Sequence, residues 1–203
     1  MARIALKGET VNTRGELPPV GSEAPDFRLT KRDLSDVTRD DFKGRKLVIS
    51  IFPSIDTPVC ATSVHRFNAE VNTYEETVVL CVSRDLPFAH DRFCKDADID
   101  NVLNVSELRS REFGRTYGVE ITTGPLAGLL ARAVVVLDPA GRVVYTQLVE
   151  DIADEPDYGA VLDVLRQPAP STDAPLEACL QPFDPESARM DQTDEPCNDG
   201  RAG

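Results

Sequence analysis

A chain of 203 residues with a net charge of −13, and only five lysines among its 22 basic residues, lacks the clustered cations that nucleic acid or an anionic membrane surface requires. Five cysteines, an odd number at this length, do not read as a secreted disulfide framework. No apolar run is long enough to span a bilayer, and the N-terminal stretch shows no signal or transit peptide, so a soluble, cytoplasmic protein is expected.

Near the start, residues 3–6 and 10–11 flank Lys7-Gly8-Glu9 and read as a small β-hairpin. The first long apolar, β-branched run, 47–52, reads as a strand, and the octapeptide PSIDTPVC from Pro53 to Cys60 follows it. Thr57 suits a helix N-cap, and Pro58 suits the first helical position, where no backbone N–H is needed. Cys60 then falls in the first turn, close to unpaired N–H groups and the positive end of the helix dipole, where a thiolate is favoured. Thr57 is near enough to donate a hydrogen bond to its sulfur. Cys60, Val64, Phe67 and Val71 share one helical face, so the thiol is expected to point partly toward the core, in a pocket. The competing reading is a buried cysteine acting as a small apolar filler.

Further strands are expected at 77–83, 133–137 and 143–148, and helices at 58–74, 87–94, 106–117 and 156–165. Asp138-Pro-Ala-Gly141 is a turn signal between the last two strands, which predicts an antiparallel hairpin. Gly114 and Gly118 mark the end of the third helix. The alternation of strands and helices predicts an α/β domain over residues 1–166, with helices packed on a largely central sheet. Residues 167–203 differ in composition: six prolines, eight acidic residues and two arginines read as an acidic, proline-rich, disordered tail.

The strand, PSIDTPVC and amphipathic helix together resemble the peroxiredoxin superfamily, whose signature is P-x-x-x-T/S-x-x-C on a thioredoxin-like fold. Ala24-Pro-Asp-Phe27 and the segment GPLAGLLARAVVVLD, 124–138, resemble further parts of that family. Phe93-Cys94 and Glu155-Pro-Asp-Tyr158 narrow the resemblance to the thiol peroxidases, the atypical two-cysteine peroxiredoxins. It covers residues 1–166 and implies a central mixed β-sheet flanked by helices with an N-terminal β-hairpin. It also implies a peroxidase that reduces hydrogen peroxide and organic hydroperoxides, with a mild preference for bulkier alkyl or lipid hydroperoxides suggested by the apolar face beside Cys60.

By that resemblance Cys60 is the peroxidatic cysteine and Cys94 the resolving cysteine, joined in a Cys60–Cys94 intramolecular disulfide that a thioredoxin-type reductant recycles. Thr57 supplies a hydroxyl to sulfur and peroxide, Pro53 shields the site from water, and Arg132 holds the thiolate and polarises the O–O bond. A homodimer is implied, and neither a cofactor nor a metal. Where the family commonly has glycine after the resolving cysteine, this chain has Lys95-Asp96, a stiffer segment that slows unwinding.

Other features carry less. Cys81, inside an apolar strand, reads as a buried filler. His90 and Cys94 have the i, i+4 spacing of two metal ligands but lack a further ligand cluster. Gly124 to Gly128 spells GxxxG outside any membrane span, and Asn104-Val-Ser106 is a sequon by pattern only. His65 stands where the family often has a basic residue and is given no role. Cys179 and Cys197 read as incidental tail thiols, against the sharper idea of an electron relay. Two alternatives to the peroxidase are a thiol–disulfide oxidoreductase, which the lack of C-x-x-C weakens, and a non-enzymatic redox sensor or holdase.

Overall fold

Three neighbouring strands, β5 (Lys46–Ile51), β6 (Thr77–Ser83) and β8 (Ala133–Leu137), carry near-continuous apolar runs because both of their faces are covered. The computed structural model describes residues 1–74 and 76–167. The tail reading, apart from Gln167, and with it Cys179 and Cys197, falls outside the described residues.

Side chains on these strands alternate between two cores. Leu47, Ile49, Ile51, Leu80, Val82, Ala133, Val135 and Leu137 face one apolar cluster. Val48, Val79, Cys81, Val134 and Val136 face the other, which is closed by α1 (Pro58–Glu70), α2 (Pro87–Asp96) and α4 (Tyr158–Arg166). Cys81 is fully buried there, and burial pushes its thiol pKa up, as suits the filler reading.

The central sheet has seven strands in the order β4-β3-β7-β6-β5-β8-β9. β5, β6 and β7 (Leu103–Ser106) run parallel, while β3 (Arg28–Lys31), β4 (Asp36–Thr38), β8 and β9 (Val143–Leu148) pair antiparallel. This is the mixed, helix-flanked, thioredoxin-like arrangement the resemblance implies. β8 and β9 form the expected hairpin. The N-terminal hairpin is also present, as β1 (Arg3–Leu6) paired with β2 (Glu9–Asn12) in a sheet of its own. Lys7 and Gly8 supply its turn at positive φ.

Some elements differ from expectation. The first helix stops at Glu70 and tightens into a 3₁₀ turn at Val71–Thr73. The helix expected over 106–117 is mostly something else: Ser106 ends β7, an irregular turn follows, and only α3 (Glu112–Thr116) is helical. The reason is polar burial. The Ser106 hydroxyl donates to the Asp85 carbonyl, and the buried Glu107 carboxylate pairs with Arg84 and accepts from the Gly114 N–H, so the chain turns inward at 106–107. Gly114 therefore lies inside α3, where a Cβ would strike Leu130. Gly118 does follow the helix, at φ 72°, and a Cβ there would run into the Glu16 backbone.

Candidate active site

The sheet register brings distant residues to one place. Ile51 at the end of β5 pairs with Ala133 at the start of β8, so the chain leaving β5 toward α1 passes beside Arg132. Pro53 is buried at this exit. Thr57 is the N-cap residue of α1 with extended backbone, and Pro58 opens the helix, as the local chemistry predicts. The Thr57 hydroxyl, however, makes no capping bond. It lies 2.7 Å from Cys60 Sγ and 3.1 Å from the Ser54 carbonyl oxygen. With one proton to give, it can donate to sulfur or to carbonyl.

Cys60 is fully buried at the third helical position, while Thr57 and Pro58 beside it are exposed. Arg132, 3% exposed, reaches the same sulfur with Nη2 at 3.4 Å. Its Nε donates to the Ile152 carbonyl at 2.9 Å, and Nη1 is buried with no partner among the described residues. Two donors from separate elements thus converge on one sulfur, with a third held in reserve.

The loop that presents the Ile152 carbonyl is braced by the N-terminal hairpin. Ala5 N–H donates to Glu150 O, Ile152 N–H donates to Ala5 O, and the Asp151 carboxylate accepts from the backbone of Lys7, Gly8 and Ala153. These bonds, that from Ala153 foremost, hold the Asp151 carboxyl below its usual range. The small hairpin is in this way a support for the arginine. On the other side, Tyr158 at the start of α4 donates to Ser63 Oγ at 2.9 Å and packs edge-on against Phe67, fixing α1 one turn beyond Cys60.

Cys94 lies on α2, 2% exposed. Its sulfur has partners of its own: Asn104 Nδ2 donates to it at 3.0 Å from β7. Burial is the main cause that raises the Cys94 thiol pKa. Both sulfurs border the same apolar cluster, and Cys60, Cys81 and Cys94 are all free thiols. The ring of His65 meets Phe93 edge-on at 5.7 Å between centroids, joining α1 to α2. Among these groups, Ile152 carried no legible signal, since it acts through its backbone carbonyl; Tyr158 entered only through the family resemblance and Asn104 only as a sequon pattern, and their contacts here depend on tertiary placement.

Residues 19–162 match the family model for Redoxin. The chain is 53% identical over 165 residues to a thiol peroxidase of Mycobacterium tuberculosis, covering 81% of this chain and 99% of that one. It is 51% identical, with the same coverage, to a thiol peroxidase of Corynebacterium glutamicum. Among solved structures it superposes on a peroxiredoxin-like protein from Aquifex aeolicus with a TM-score of 0.76 at 39% identity, covering 81% of this chain and 96% of that one. A fold, a strand-to-helix thiol and sequence identity over most of both chains agree: this chain belongs to the thiol peroxidase branch of the redoxin family.

Proposed function

We propose that the protein reduces hydrogen peroxide and organic hydroperoxides with Cys60 as nucleophile, Cys94 as resolving thiol and a thioredoxin-type dithiol as electron donor. The observation that carries this reading is the pair of donors on the buried Cys60 sulfur, Thr57 Oγ1 at 2.7 Å and Arg132 Nη2 at 3.4 Å.

The Cys60 thiolate attacks one peroxide oxygen: an S–O bond forms, the O–O bond breaks, and the departing oxygen leaves as water or an alcohol after taking up a proton. Charge moves from sulfur to that oxygen, so donors able to serve both positions favour the transition state over the resting thiol. Arg132 supplies both from one planar fork, Nη2 at sulfur and Nη1 for the incoming oxygen. A bare buried donor such as Nη1 costs about 1–3 kcal/mol, which a bound peroxide oxygen would offset. Pro53, buried where the chain leaves β5, limits the access of water.

In the second step the Cys94 thiolate attacks the sulfenic sulfur, hydroxide leaves as water, and a Cys60–Cys94 disulfide forms. Each sulfur sits among its own partners on a separate helix, so this step needs local opening of one or both helix ends. Thiol–disulfide exchange with the dithiol partner then restores both thiols. Such recycling suits a reducing compartment, the cytoplasm, and a homodimer in which the exposed Leu86 and Phe88 at the start of α2 are covered. A C-x-x-C oxidoreductase is not favoured, since Cys60 has no second cysteine within its helical turn.

Peptide mapping after one equivalent of hydrogen peroxide tests the reading. The expected product is a single linkage between the Cys60 and Cys94 peptides. A Cys60–Cys81 linkage, or thiols left unoxidised, would overturn it.

A further inference from the structure

A partly buried polar chain connects the two thiol-bearing segments, and the peroxide chemistry above makes no use of it. Asp85, in the turn between β6 and α2, accepts from Ser54 Oγ at 2.8 Å, from the Ile55 N–H at 2.7 Å and from Ser83 Oγ at 2.7 Å. Ser54 and Ile55 belong to the loop that leads into Thr57 and Cys60. Ser83 Oγ in turn lies 3.0 Å from Nε2 of His90, which is fully buried on α2, one helical turn before Cys94.

The tautomer follows from counting protons. The Asp85 carboxylate can only accept, so Ser83 spends its single proton there, and its oxygen accepts from the Asp85 N–H at 3.1 Å and from His90. His90 therefore carries its proton on Nε2. That leaves Nδ1 as a buried acceptor without a partner among the described residues.

We propose that His90 is a positioning residue: through Ser83 and Asp85 it latches α2, with Cys94, to the loop ahead of Cys60, and release of this latch sets the rate at which Cys94 captures the oxidised Cys60. The inference rests on the disulfide mechanism proposed above. An exposed ion pair, Arg92 to Asp56 at 2.7 Å, joins the same two segments, but a surface contact of this kind contributes little beside a hydrogen-bonded chain anchored on the buried Ser83 and His90.

The latch responds to acid. Burial dominates the His90 ring and depresses its pKa from 6.5 to about 4, against the carboxylates of Asp85 and Asp56, which favour the charged ring, and alongside Arg32, which opposes it. In opened α2 the ring meets water and titrates near its usual value of about 6.5. Above that pH the ring is neutral in both states and the latch holds in full. As pH falls from about 6.5 toward 4, only the opened state takes up the proton, so closure is progressively lost. At pH 5.5 the opening equilibrium shifts by up to about tenfold relative to pH 7.5. Acid also diminishes the Cys94 thiolate, an effect common to the wild type and to variants at position 90.

The experiment is single-turnover oxidation of the full chain, quenched by alkylation and read by mass spectrometry, in wild type, His90→Gln and Ser83→Ala from pH 5.5 to 7.5. Glutamine can keep an N–H toward Ser83 but does not titrate. The ratio of the wild-type disulfide-forming rate to that of His90→Gln is expected to rise by up to about tenfold between pH 7.5 and 5.5. The rate of Cys60 oxidation should be the same in both. Ser83→Ala, which removes the link from the other side, should form the disulfide several-fold faster at pH 7.5. His65 and His90 are the only histidines, so imidazole resonances of the reduced protein report the buried ring directly, and His90 should remain neutral at pH 5.5. A ratio flat with pH, a His90 that titrates near 6.5, or a wild-type rate in Ser83→Ala overturns the latch. Absence of any Cys60–Cys94 disulfide in the wild type overturns the underlying mechanism as well, and so separates the two failures.

Discussion

Cys60→Ser is expected to lose peroxide turnover by more than about four orders of magnitude, while Cys94→Ser consumes one equivalent of peroxide and stops. The serine at 60 is nearly isosteric with the buried sulfur and keeps an acceptor for Thr57 and Arg132, so the fold and the donors survive. What disappears is a polarizable sulfur nucleophile that can hold an added oxygen as a sulfenic acid. At position 94, a serine oxygen still accepts from Asn104 Nδ2, but it cannot displace the sulfenic hydroxyl to make a disulfide. Cys60 is then stranded in its oxidised form. Peroxide consumption measured with a dithiol protein as reductant, together with the intact mass of the product, distinguishes the two. Sustained turnover by Cys60→Ser would remove the nucleophile from this account, and sustained turnover by Cys94→Ser would remove the resolving thiol.

How much of this could be read from the chain alone depended on whether the signal was local. β5, β6 and β8 were legible because a near-continuous apolar, β-branched run has few other uses, and β9 because its start, residues 143–145, follows a turn signal. β3, β4 and β7 were not, since they have three or four residues each and carry Thr30, Asn104 and Ser106 into buried positions. Those polar residues serve tertiary partners: Asn104 the Cys94 sulfur, Ser106 the Asp85 carbonyl. Asp85 and His90 look like ordinary turn and helix residues, and only the fold joins them through Ser83. At the site, Thr57 and Cys60 declare themselves through capping chemistry within four residues. Arg132 does not: on its own it reads as any surface cation, and only resemblance pointed to it. Its role depends on the Ile51–Ala133 register and on a backbone carbonyl at Ile152 that has no residue-type signature.

That dependence makes Arg132 the second place where a small change has a large expected effect. Arg132→Lys should lower the second-order rate of Cys60 oxidation by about 10²–10³, the usual scale for removing a donor aimed at developing charge. Charge is conserved in this substitution, so a purely Coulombic role predicts little loss. The guanidinium, however, divides three tasks among three nitrogens: Nε anchors to Ile152 O, Nη2 meets Cys60 Sγ, and Nη1 stays free for oxygen. A single ammonium head on a flexible stem cannot sit in all three places, and burying it without its carbonyl anchor adds a desolvation cost. Stopped-flow competition for peroxide measures the oxidation step, while alkylation after a stoichiometric pulse measures disulfide formation. Only the first should fall, because among the described residues Arg132 hydrogen-bonds to Ile152 and Cys60 and not to α2 or Cys94's partner Asn104. A lysine variant within about threefold of wild type in oxidation would show that charge alone suffices, and the fork geometry would then have no part in breaking the O–O bond.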